Sequence, residues 1–506
     1  MLHFDHPEQE ASVAGLSHDM TLGSVTLEAP VSLGHHARKP LTYRGRAPVA
    51  FQRQPTGLVR FDPMSWGLAF RIRQTLKGSL WVVPLIGGLA GLALSNATVW
   101  LEDTMQVPSG WDYSPQTALT VLTTDVGASV GLIGFVVTVS VLVVQMATGT
   151  FSARYMRLWY RDGVLKATLA VLMGNLVFSY TLIRRIDEDV PNLGVTLAGF
   201  LLSAGLVLFL VFLDRFLHRL RPVKVAALVA HAGREALRST VEVASTRRRS
   251  GAAAELDEIL AREPTLVVRS KTSGALQAID DEGLLAWATR HDAVVVMRHG
   301  VGDFVSSGAT LLEVYGTATF PRAAERRLAG RLALGIERTI DQDPAFALRV
   351  LVDVAIRALS PALNDPTTAV QVIDHLEDTL ALIGRTQGLD GRWEYRDDQH
   401  RLRLVMPAHR FEDYLSLGVT EIRVYGASSV QVMRRLRAAL LELESSVLPE
   451  YAPAVTAELE RLDVTAASVF GDTPDATRAL RGDRQGIGGP PRLDGPLAVA
   501  NDRHVS

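Results

Sequence analysis

The 506-residue sequence contains no cysteine and no excess of charge of either sign. The absence of cysteine excludes disulfides, thiolate nucleophiles, iron–sulfur clusters and cysteine-ligated zinc sites. A net charge of −2 excludes a globally basic nucleic-acid-binding protein, although charge can still be concentrated locally. The chain also lacks the phosphate-binding loop, the nucleophile elbow, the zinc-protease helix and the dinucleotide-binding glycine motif. These absences predict a protein without catalytic activity, cofactor or nucleic-acid partner.

Histidines with acidic neighbours occur at His231 with Glu235, and at His375 with Asp374 and Asp378. Each set places two potential ligands on one helix face, but a structural zinc site has four ligands and surface pairs of this kind are common. The sequence therefore predicts no metal site.

Four runs with little or no charge lie between residues 80 and 213. The first and the last contain no Asp, Glu, Lys or Arg, and each reaches the roughly 20 residues that a helix needs to cross about 30 Å of hydrocarbon. Uncharged runs of this length are rare in soluble cores, which makes a bundle of buried soluble helices the weaker interpretation. The predicted transmembrane helices are Leu80–Val99, Val126–Ala147, Ala167–Ile183 and Leu193–Leu213.

Charge in the connecting segments orients these helices. The segment from Glu102 to Asp125 carries four acidic residues and neither Lys nor Arg. Basic residues lie before the first helix, after the second and after the fourth: Arg71, Arg73, Lys77, Arg154, Arg157, Arg161, Arg215, Arg219, Arg221 and Lys224. Because Lys and Arg are enriched on the cytoplasmic side, this pattern predicts that both termini are cytoplasmic, although Arg184 and Arg185 run against it.

Composition divides the chain into five parts. Residues 1–65 show no sustained hydrophobic period and are predicted to form a disordered amino-terminal arm. Residues 66–221 hold the four-helix transmembrane domain, and residues 222–262 a connecting helix and a basic linker. Residues 263–470 have the composition of a cytosolic α+β domain, and residues 471–506 that of a disordered tail. The predicted fold class is an α-helical membrane domain followed by a cytosolic α+β domain.

Short β-branched runs mark the start of the α+β domain. Thr265–Arg269 and Ala293–Met297 are predicted strands, and glycines between alternating apolar residues in Gly300–Val314 predict a hairpin. Together with Ser273–Ile279, this stretch is similar to the barrel-sandwich halves of lipoyl- and biotin-carrier domains. Such a carrier needs a lysine at the hairpin tip, and no lysine follows Lys271. The prediction is a small structural unit of barrel-sandwich type that carries no covalent cofactor.

A helical period over Ala323–Ile383 is broken near residue 360. Pro361 cannot continue the preceding helix, and Asp365 followed by Pro366 is the usual arrangement of an N-cap with proline at the first helical position. Capping explains this segment without any further role. A short hairpin and three more helices are predicted to follow it.

Three segments carry a resemblance to a known family: Phe151-Ser-Ala-Arg154, Glu337-Arg-Thr-Ile-Asp-Gln-Asp-Pro344, and Asp353 followed by Ala358-Leu-Ser-Pro-Ala-Leu-Asn-Asp-Pro366. With the four spans, they make residues 66–465 resemble the bacterial predicted membrane proteins known as domain of unknown function 2254. The resemblance implies an integral protein of the bacterial cytoplasmic membrane with a cytosolic carboxy-terminal half and no established activity.

The last of these segments forms the family-motif loop, whose polar residues are Asp353, Arg357, Asn364 and Asp365. Asp353 and Arg357 are four residues apart, and could pair across one helical turn. The resemblance supplies no catalytic residue, so these four are candidates for a structural role.

The second span carries a stripe of small and polar residues at alternating spacings of three and four, interrupted only by the apolar Val141: Thr124, Gly127, Gly131, Gly134, Thr138, Gln145 and Thr148. On a helix they lie along one face, which is unlike a lipid-facing surface. One interpretation is a packing seam within or between subunits, because glycine lets helix backbones approach closely. The other is a hydrated path across a homo-oligomer, with Thr124 and Asp125 at its outer mouth.

Further polar residues lie in or beside the spans. Asn175 in the third span is interpreted as an interhelical hydrogen-bond partner. Arg154, Arg157 and Arg161 alternate with aromatic residues, which is typical of a belt at the membrane interface. The same arginines could instead attract anions or couple the membrane helix to the soluble domain.

The sequence favours a homo-oligomeric, channel-like or transport-like protein in the lipid bilayer. Its second span would line the path of an ion or small solute, and its cytosolic half would modulate that path. The alternative is a membrane-anchored regulatory or scaffold protein without permeation activity.

Overall fold

The computed structural model describes residues 65–104, 112–150, 161–186, 190–219, 222–247 and 253–487. The predicted amino-terminal arm up to residue 64 lies outside these residues, as do Arg154 and Arg157 of the predicted interfacial belt. The side chain of Thr148 is also not described, although its backbone belongs to a helix.

The amino-terminal part of the described chain is helical: α1 (Trp66–Gly78), α2 (Val82–Thr104), α3 (Pro115–Thr150), α4 (Gly163–Ile183) and α5 (Asn192–Arg219). Helices α2 to α5 are long and apolar enough to cross a bilayer, so the structure has the four long apolar helices that the sequence predicts. Helix α3 begins at Pro115, ahead of the predicted start at Val126. Asp125, the charged residue that precedes the charge-free run in the sequence, therefore lies within the helix, where it is buried.

Helix α4 lies at the centre of this bundle and contacts α2, α3 and α5. Its backbone approaches α2 closely. A Cβ atom added at Gly87 would lie 2.2 Å from the carbonyl oxygen of Ala170, and one at Gly91 would lie 2.0 Å from that of Gly174. Only glycine leaves room for two helix backbones at these separations. Gly87 and Gly91 therefore form a packing seam.

The remainder of the described chain, here called the α+β region, contains ten helices and eight strands. Its helices are α6 (Pro222–Arg247), α7 (Ala253–Leu260), α8 (Asp281–Arg290), α9 (Arg322–Ala329), α10 (Pro344–Ala358), α11 (Pro366–Gly384), α12 (Phe411–Tyr425), α13 (Val430–Ser446), α14 (Ala452–Phe470) and α15 (Pro474–Ala479). Its strands are β1 (Leu266–Arg269), β2 (Gly274–Ile279), β3 (Val294–Met297), β4 (Phe304–Val305), β5 (Thr310–Tyr315), β6 (Leu332–Gly335), β7 (Asp390–Arg396) and β8 (Leu402–Arg410).

These strands form two open sheets. The larger has the order β1-β5-β3-β8-β7, and the smaller has the order β4-β2-β6. Strands β3 and β8 pair in parallel, and the other described pairs are antiparallel. An α+β region therefore follows the four apolar helices, as the sequence predicts.

The predicted barrel-sandwich unit is not confirmed, because neither described sheet closes into a barrel. The hairpin expected over Gly300–Val314 does not form either, since β4 pairs with β2 whereas β5 pairs with β1 and β3. The neighbouring residues Leu311 and Leu312 of β5 point to opposite faces and are both buried. A strand that is covered on both faces belongs inside a sheet rather than at the edge of a hairpin.

A helical layer packs around its own core, formed mainly by α6 and α10 to α14. Val225, Ala226 and Val229 of α6 are buried against α10 and α11, so the predicted connecting helix is also part of this core. The first half of the predicted tail packs as well. Asp483 is fully buried, and its backbone N–H donates to the carbonyl oxygen of Arg434 at 3.1 Å.

The α2–α4 seam generates a stability prediction. Gly91→Ala places a methyl group against the backbone of α4, and overpacking of this kind costs about 1–3 kcal/mol. We expect a lower midpoint of unfolding in detergent for this variant. Gly88→Ala is the matched control, because a Cβ there meets only side-chain atoms at 3.4 Å or more. Equal stability of the two variants would contradict the close α2–α4 approach.

Candidate functional site

A carboxyl group lies inside the helix bundle. Asp125 of α3 is 3% exposed and faces α4. One of its oxygens, Oδ2, accepts hydrogen bonds from the Asn175 amide at 2.8 Å and from the Ser179 hydroxyl at 2.5 Å. The Asn175 amide also donates to the hydroxyl of Ser129 at 3.1 Å. These four residues, all of them buried, are called the Asp125 cluster below.

Two oxygens of the cluster have no donor. Within the described chain, neither Oδ1 of Asp125 nor Oδ1 of Asn175 accepts a hydrogen bond, and both atoms are buried. The Asn175 amide donates to Oδ2 of Asp125 and to Ser129, and the Ser179 hydroxyl donates to the same Oδ2. A buried carboxyl oxygen without a donor is a place where a proton or a small cation would be stabilised, because hard cations bind to oxygen ligands.

The cluster lies well inside the membrane-spanning part of both helices. Asp125 is ten residues from the start of α3, or about 15 Å at 1.5 Å per residue. Asn175 is eight residues from the end of α4, or about 12 Å, at a similar depth because the two helices are antiparallel neighbours. An aspartate at the centre of a membrane helix costs about 2.5–3.5 kcal/mol on the insertion scale. Such residues usually mark ion or proton pathways.

The predicted stripe lies on a different face of α3 from Asp125. Its members with described side chains are exposed: Thr124, Gly127, Gly131, Gly134, Thr138 and Gln145. Within the described chain, a Cβ added at any of the three glycines would meet no atom within 4 Å. Among the described residues, these three glycines therefore have no packing partner. The seam between subunits and the hydrated path both stay predictions.

The buried face of α3 has its own three-and-four spacing, which the sequence analysis missed. Its members are Ala118, Leu122, Asp125, Ser129, Val136 and Ser140. Ser129 and Ser179 were not predicted as site residues, whereas Asn175 is the interhelical hydrogen-bond partner that was expected. The signal was present in the sequence, because Asp125 and Ser129 are four residues apart, as are Asn175 and Ser179. Each pair lies on one helix face.

A second polar cluster joins the membrane helices to the α+β region. Asp341 accepts hydrogen bonds from Arg161, which precedes α4, at 3.1 Å and from Gln74 of α1 at 2.8 Å. Burial raises the pKa of Asp341, but the bonds from Arg161 and Gln74 outweigh it and hold the pKa below the ordinary value of 3.8. The carboxylate is therefore charged at neutral pH. These three residues are called the Asp341 junction. Arg161 thus links the segment before α4 to the α+β region, whereas its predicted roles at the membrane interface, with anions and in coupling all stay predictions.

The segment that contains Asp341 is held rigidly on both sides. The Gln342 side chain accepts a hydrogen bond from the backbone N–H of Ile279 at 2.9 Å and donates to its carbonyl oxygen at 3.3 Å. Asp343 accepts from the N–H of Phe346 at 2.9 Å, which caps α10, and forms a 2.7 Å ion pair with Arg338. Burial raises the pKa of Asp343, partly offset by Arg338. Asp341 is therefore fixed between β2 and α10.

The family-motif loop has a structural role at its end. Asp365 accepts a hydrogen bond from the N–H of Thr368 at 3.0 Å, so it is the predicted N-cap of α11. Asn364 has a φ of 45°, a left-handed conformation that asparagine tolerates better than most residues. Asp353 forms a 2.7 Å ion pair with Arg349, four residues before it, and Arg357 is exposed.

The family described as "Predicted membrane protein (DUF2254)" matches residues 77–442. The chain belongs to this family. Uncharacterized proteins of Mycobacterium bovis and of two Mycobacterium tuberculosis strains are 30% identical to it over 432 residues, which cover 80% of this chain and 79% of each relative. No solved structure matches the chain. The family match begins within α1 and ends within α13, so it includes the whole Asp125 cluster and, of the Asp341 junction, Arg161 and Asp341 but not Gln74.

The family match identifies no reaction, and the described residues contain no group of three or more His, Cys, Asp or Glu side chains that could hold a metal ion. Of the two histidine sets, His231 is exposed and His375 is half-buried. For His375, burial and the nearby Arg234 lower the pKa, which keeps the ring neutral at neutral pH.

The Asp341 junction generates a pH prediction. A carboxyl whose pKa is lowered by folding stabilises the folded state above its ordinary pKa and loses that effect as the pH falls through the lowered value. At neutral pH we expect Asp341→Asn to reduce the free energy of unfolding by about 1 kcal/mol, as for a partly exposed ion pair. The difference should shrink as the pH falls below the ordinary value of 3.8 and disappear below the lowered pKa of the folded protein. Urea unfolding in detergent at several pH values measures it.

Asp398→Asn is the control, because Asp398 is an exposed carboxylate in the turn between β7 and β8. It should leave the free energy of unfolding unchanged at every pH. If Asp341→Asn behaves like this control, the junction does not contribute to stability.

Proposed function

We propose that this protein moves protons or a small monovalent cation across the bacterial cytoplasmic membrane, through a binding site centred on Asp125 in each subunit. The observation that carries the proposal is the buried carboxyl of Asp125, whose second oxygen has no hydrogen-bond donor in the described chain. A proton bound to that oxygen, or a cation coordinated by it, would supply the missing partner. The path then runs between α3 and α4 rather than along the stripe.

The α+β region has a mechanical link to this site. Arg161 of the Asp341 junction immediately precedes Asp162, which caps α4 through a 2.8 Å hydrogen bond from the N–H of Leu165. Helix α4 carries Asn175 and Ser179 of the cluster. Movement of Asp341 would therefore be transmitted along α4 to the two side chains that bind Asp125. This supports a modulatory role for the α+β region, which we place in the cytoplasm with both termini.

The exposed stripe supports assembly into a homo-oligomer. A surface of Gly127, Gly131 and Gly134 offers a helix from a second copy a close approach without loss of side-chain packing. Each subunit would then hold its own Asp125 cluster, and the stripe would be the seam between subunits.

The assembly proposal predicts a cross-linking pattern. The chain has no native cysteine, so any disulfide must come from an introduced residue. Thr138→Cys, within the stripe, should form a disulfide-linked dimer in oxidised membranes. Val137→Cys, which is also exposed but points about 100° away, is the control and should stay monomeric. No dimer with either variant, or equal amounts with both, would contradict a seam along the stripe.

The transport proposal is tested in liposomes that contain the purified full-length protein. An imposed membrane potential should drive proton uptake, followed with an internal pH-sensitive dye, or uptake of labelled Na⁺. Asp125→Asn keeps the size and the acceptor oxygen but removes the charge and the proton-binding capacity. We expect its flux to fall to that of protein-free liposomes.

The control is Asp112→Asn, because Asp112 is an exposed carboxylate near the start of α3. It should leave the flux unchanged. If the unmodified protein transports neither protons nor Na⁺, while Asp125→Asn weakens only folding or assembly, the cluster serves only to stabilise the packing of α3 against α4. The protein is then an anchored regulatory or scaffold protein.

A further inference from the structure

Helix α1 has an exposed apolar stripe of its own. Leu68, Ile72 and Leu76 follow one another at four-residue spacing and are 39%, 40% and 46% exposed. At 3.6 residues per turn they lie along a single side of the helix, within about 80° of one another. Three large aliphatic side chains in one exposed row are an interaction surface rather than scattered surface residues.

The other side of α1 is fixed to the α+β region. The backbone N–H of Gly67 donates to the carbonyl oxygen of Gly330 at 2.8 Å, and a Cβ at Gly67 would lie 2.3 Å from the carbonyl oxygen of Leu332. Gln74 donates to Asp341 at 2.8 Å. Gly67 and Gln74 are about 140–160° around the helix from Ile72. The apolar row therefore points away from the α+β region.

The position of α1 in the chain places it at the membrane surface. It ends at Gly78, and the membrane-spanning segment of α2 begins at Val82. The ammonium group of Lys166, near the start of α4, donates to the carbonyl oxygen of Lys77 at 2.6 Å. Both ends of this short connection are thus tied to membrane-spanning helices. Trp81 within it is 68% exposed, as is typical of an aromatic residue at the level of the headgroups.

The charge of α1 fits an anionic lipid surface. The helix contains no acidic residue, and its basic residues Arg71, Arg73 and Lys77 are all exposed. Arg71 lies on one side of the apolar row, and Arg73 and Lys77 lie on the other. A helix with an apolar row between basic residues lies in the plane of the interface, with its aliphatic side chains below the phosphates.

We propose that α1 is an interfacial helix that binds the anionic phospholipid surface next to the first span and holds the α+β region against the membrane on its opposite face. Leu68, Ile72 and Leu76 insert among the acyl chains. Arg71, Arg73 and Lys77 bind the headgroup phosphates. The inference is independent of what the Asp125 cluster binds.

The test uses the full-length protein in liposomes of phosphatidylcholine with phosphatidylglycerol. Spin labels are attached to Ile72→Cys and, as a second position on the row, to Leu76→Cys. The collision rate with oxygen, which concentrates in lipid, is compared with that of a water-soluble nickel chelate. Val464→Cys is the control, since Val464 is a 70% exposed apolar residue of α14, a helix that packs on α12, α13 and α15.

Labels at residues 72 and 76 should be accessible to oxygen and protected from nickel, and the label at residue 464 should show the reverse. Replacement of Arg71, Arg73 and Lys77 by Gln, or omission of phosphatidylglycerol, should raise nickel accessibility at residue 72.

Nickel accessibility at residue 72 equal to that of residue 464 would overturn the proposal. So would strong dipolar coupling between labels of two copies, which would show that a second subunit covers the row. An unchanged signal in the Gln variant and in neutral lipid would overturn the role of the anionic headgroups.

Discussion

Asp125 imposes the strongest physical constraint on the membrane part of this protein. A carboxyl group inside a bundle of apolar helices needs partners, because hydrocarbon offers none. Asn175 and Ser179 bind one of its oxygens, and both belong to α4, the central helix of the bundle. The packing of α3 against α4 thus depends on satisfying this carboxyl. The second oxygen accepts no hydrogen bond in the described chain. This is the oxygen to which, in our proposal, a proton or a small cation binds.

The link between the membrane and the α+β region runs through the same helix. Arg161 binds Asp341 just before α4 begins, and Gln74 of α1 binds the same carboxylate. Asp341 itself is held between β2 and α10 by its neighbours Gln342 and Asp343. A rigid segment of the α+β region therefore contacts both an interfacial helix and the start of the helix that completes the Asp125 cluster. This arrangement is what a regulatory region needs if it is to act on a site within the bilayer.

The sequence predicted the four long apolar helices well. The thickness of the hydrocarbon core alone sets how many uncharged residues a helix needs to cross it, and such runs can be read directly from the sequence. The cap at Asp365 and the hairpin that became β7 and β8 were also predictable from local chemistry. The pairing of β4 and β5 with separate sheets was not, because both choices satisfy the same alternation of apolar residues. The stripe drew attention to one face of α3, whereas the buried cluster lies on another. The four-residue spacing of Asp125 and Ser129 indicates the buried face. That Oδ1 of Asp125 lacks a hydrogen-bond donor can be seen only from the packing of α4 against α3.

The central claim is that Asp125 exchanges a proton or a small cation within the bilayer. Infrared difference spectroscopy of the protein in lipid, recorded between two pH values or before and after addition of Na⁺, observes this carboxyl directly. We expect a change in a carboxyl band that is missing from the spectrum of Asp125→Asn. If the unmodified protein and this variant give the same difference spectrum at every pH and Na⁺ concentration, Asp125 neither releases a proton nor binds a cation, and the claim is wrong.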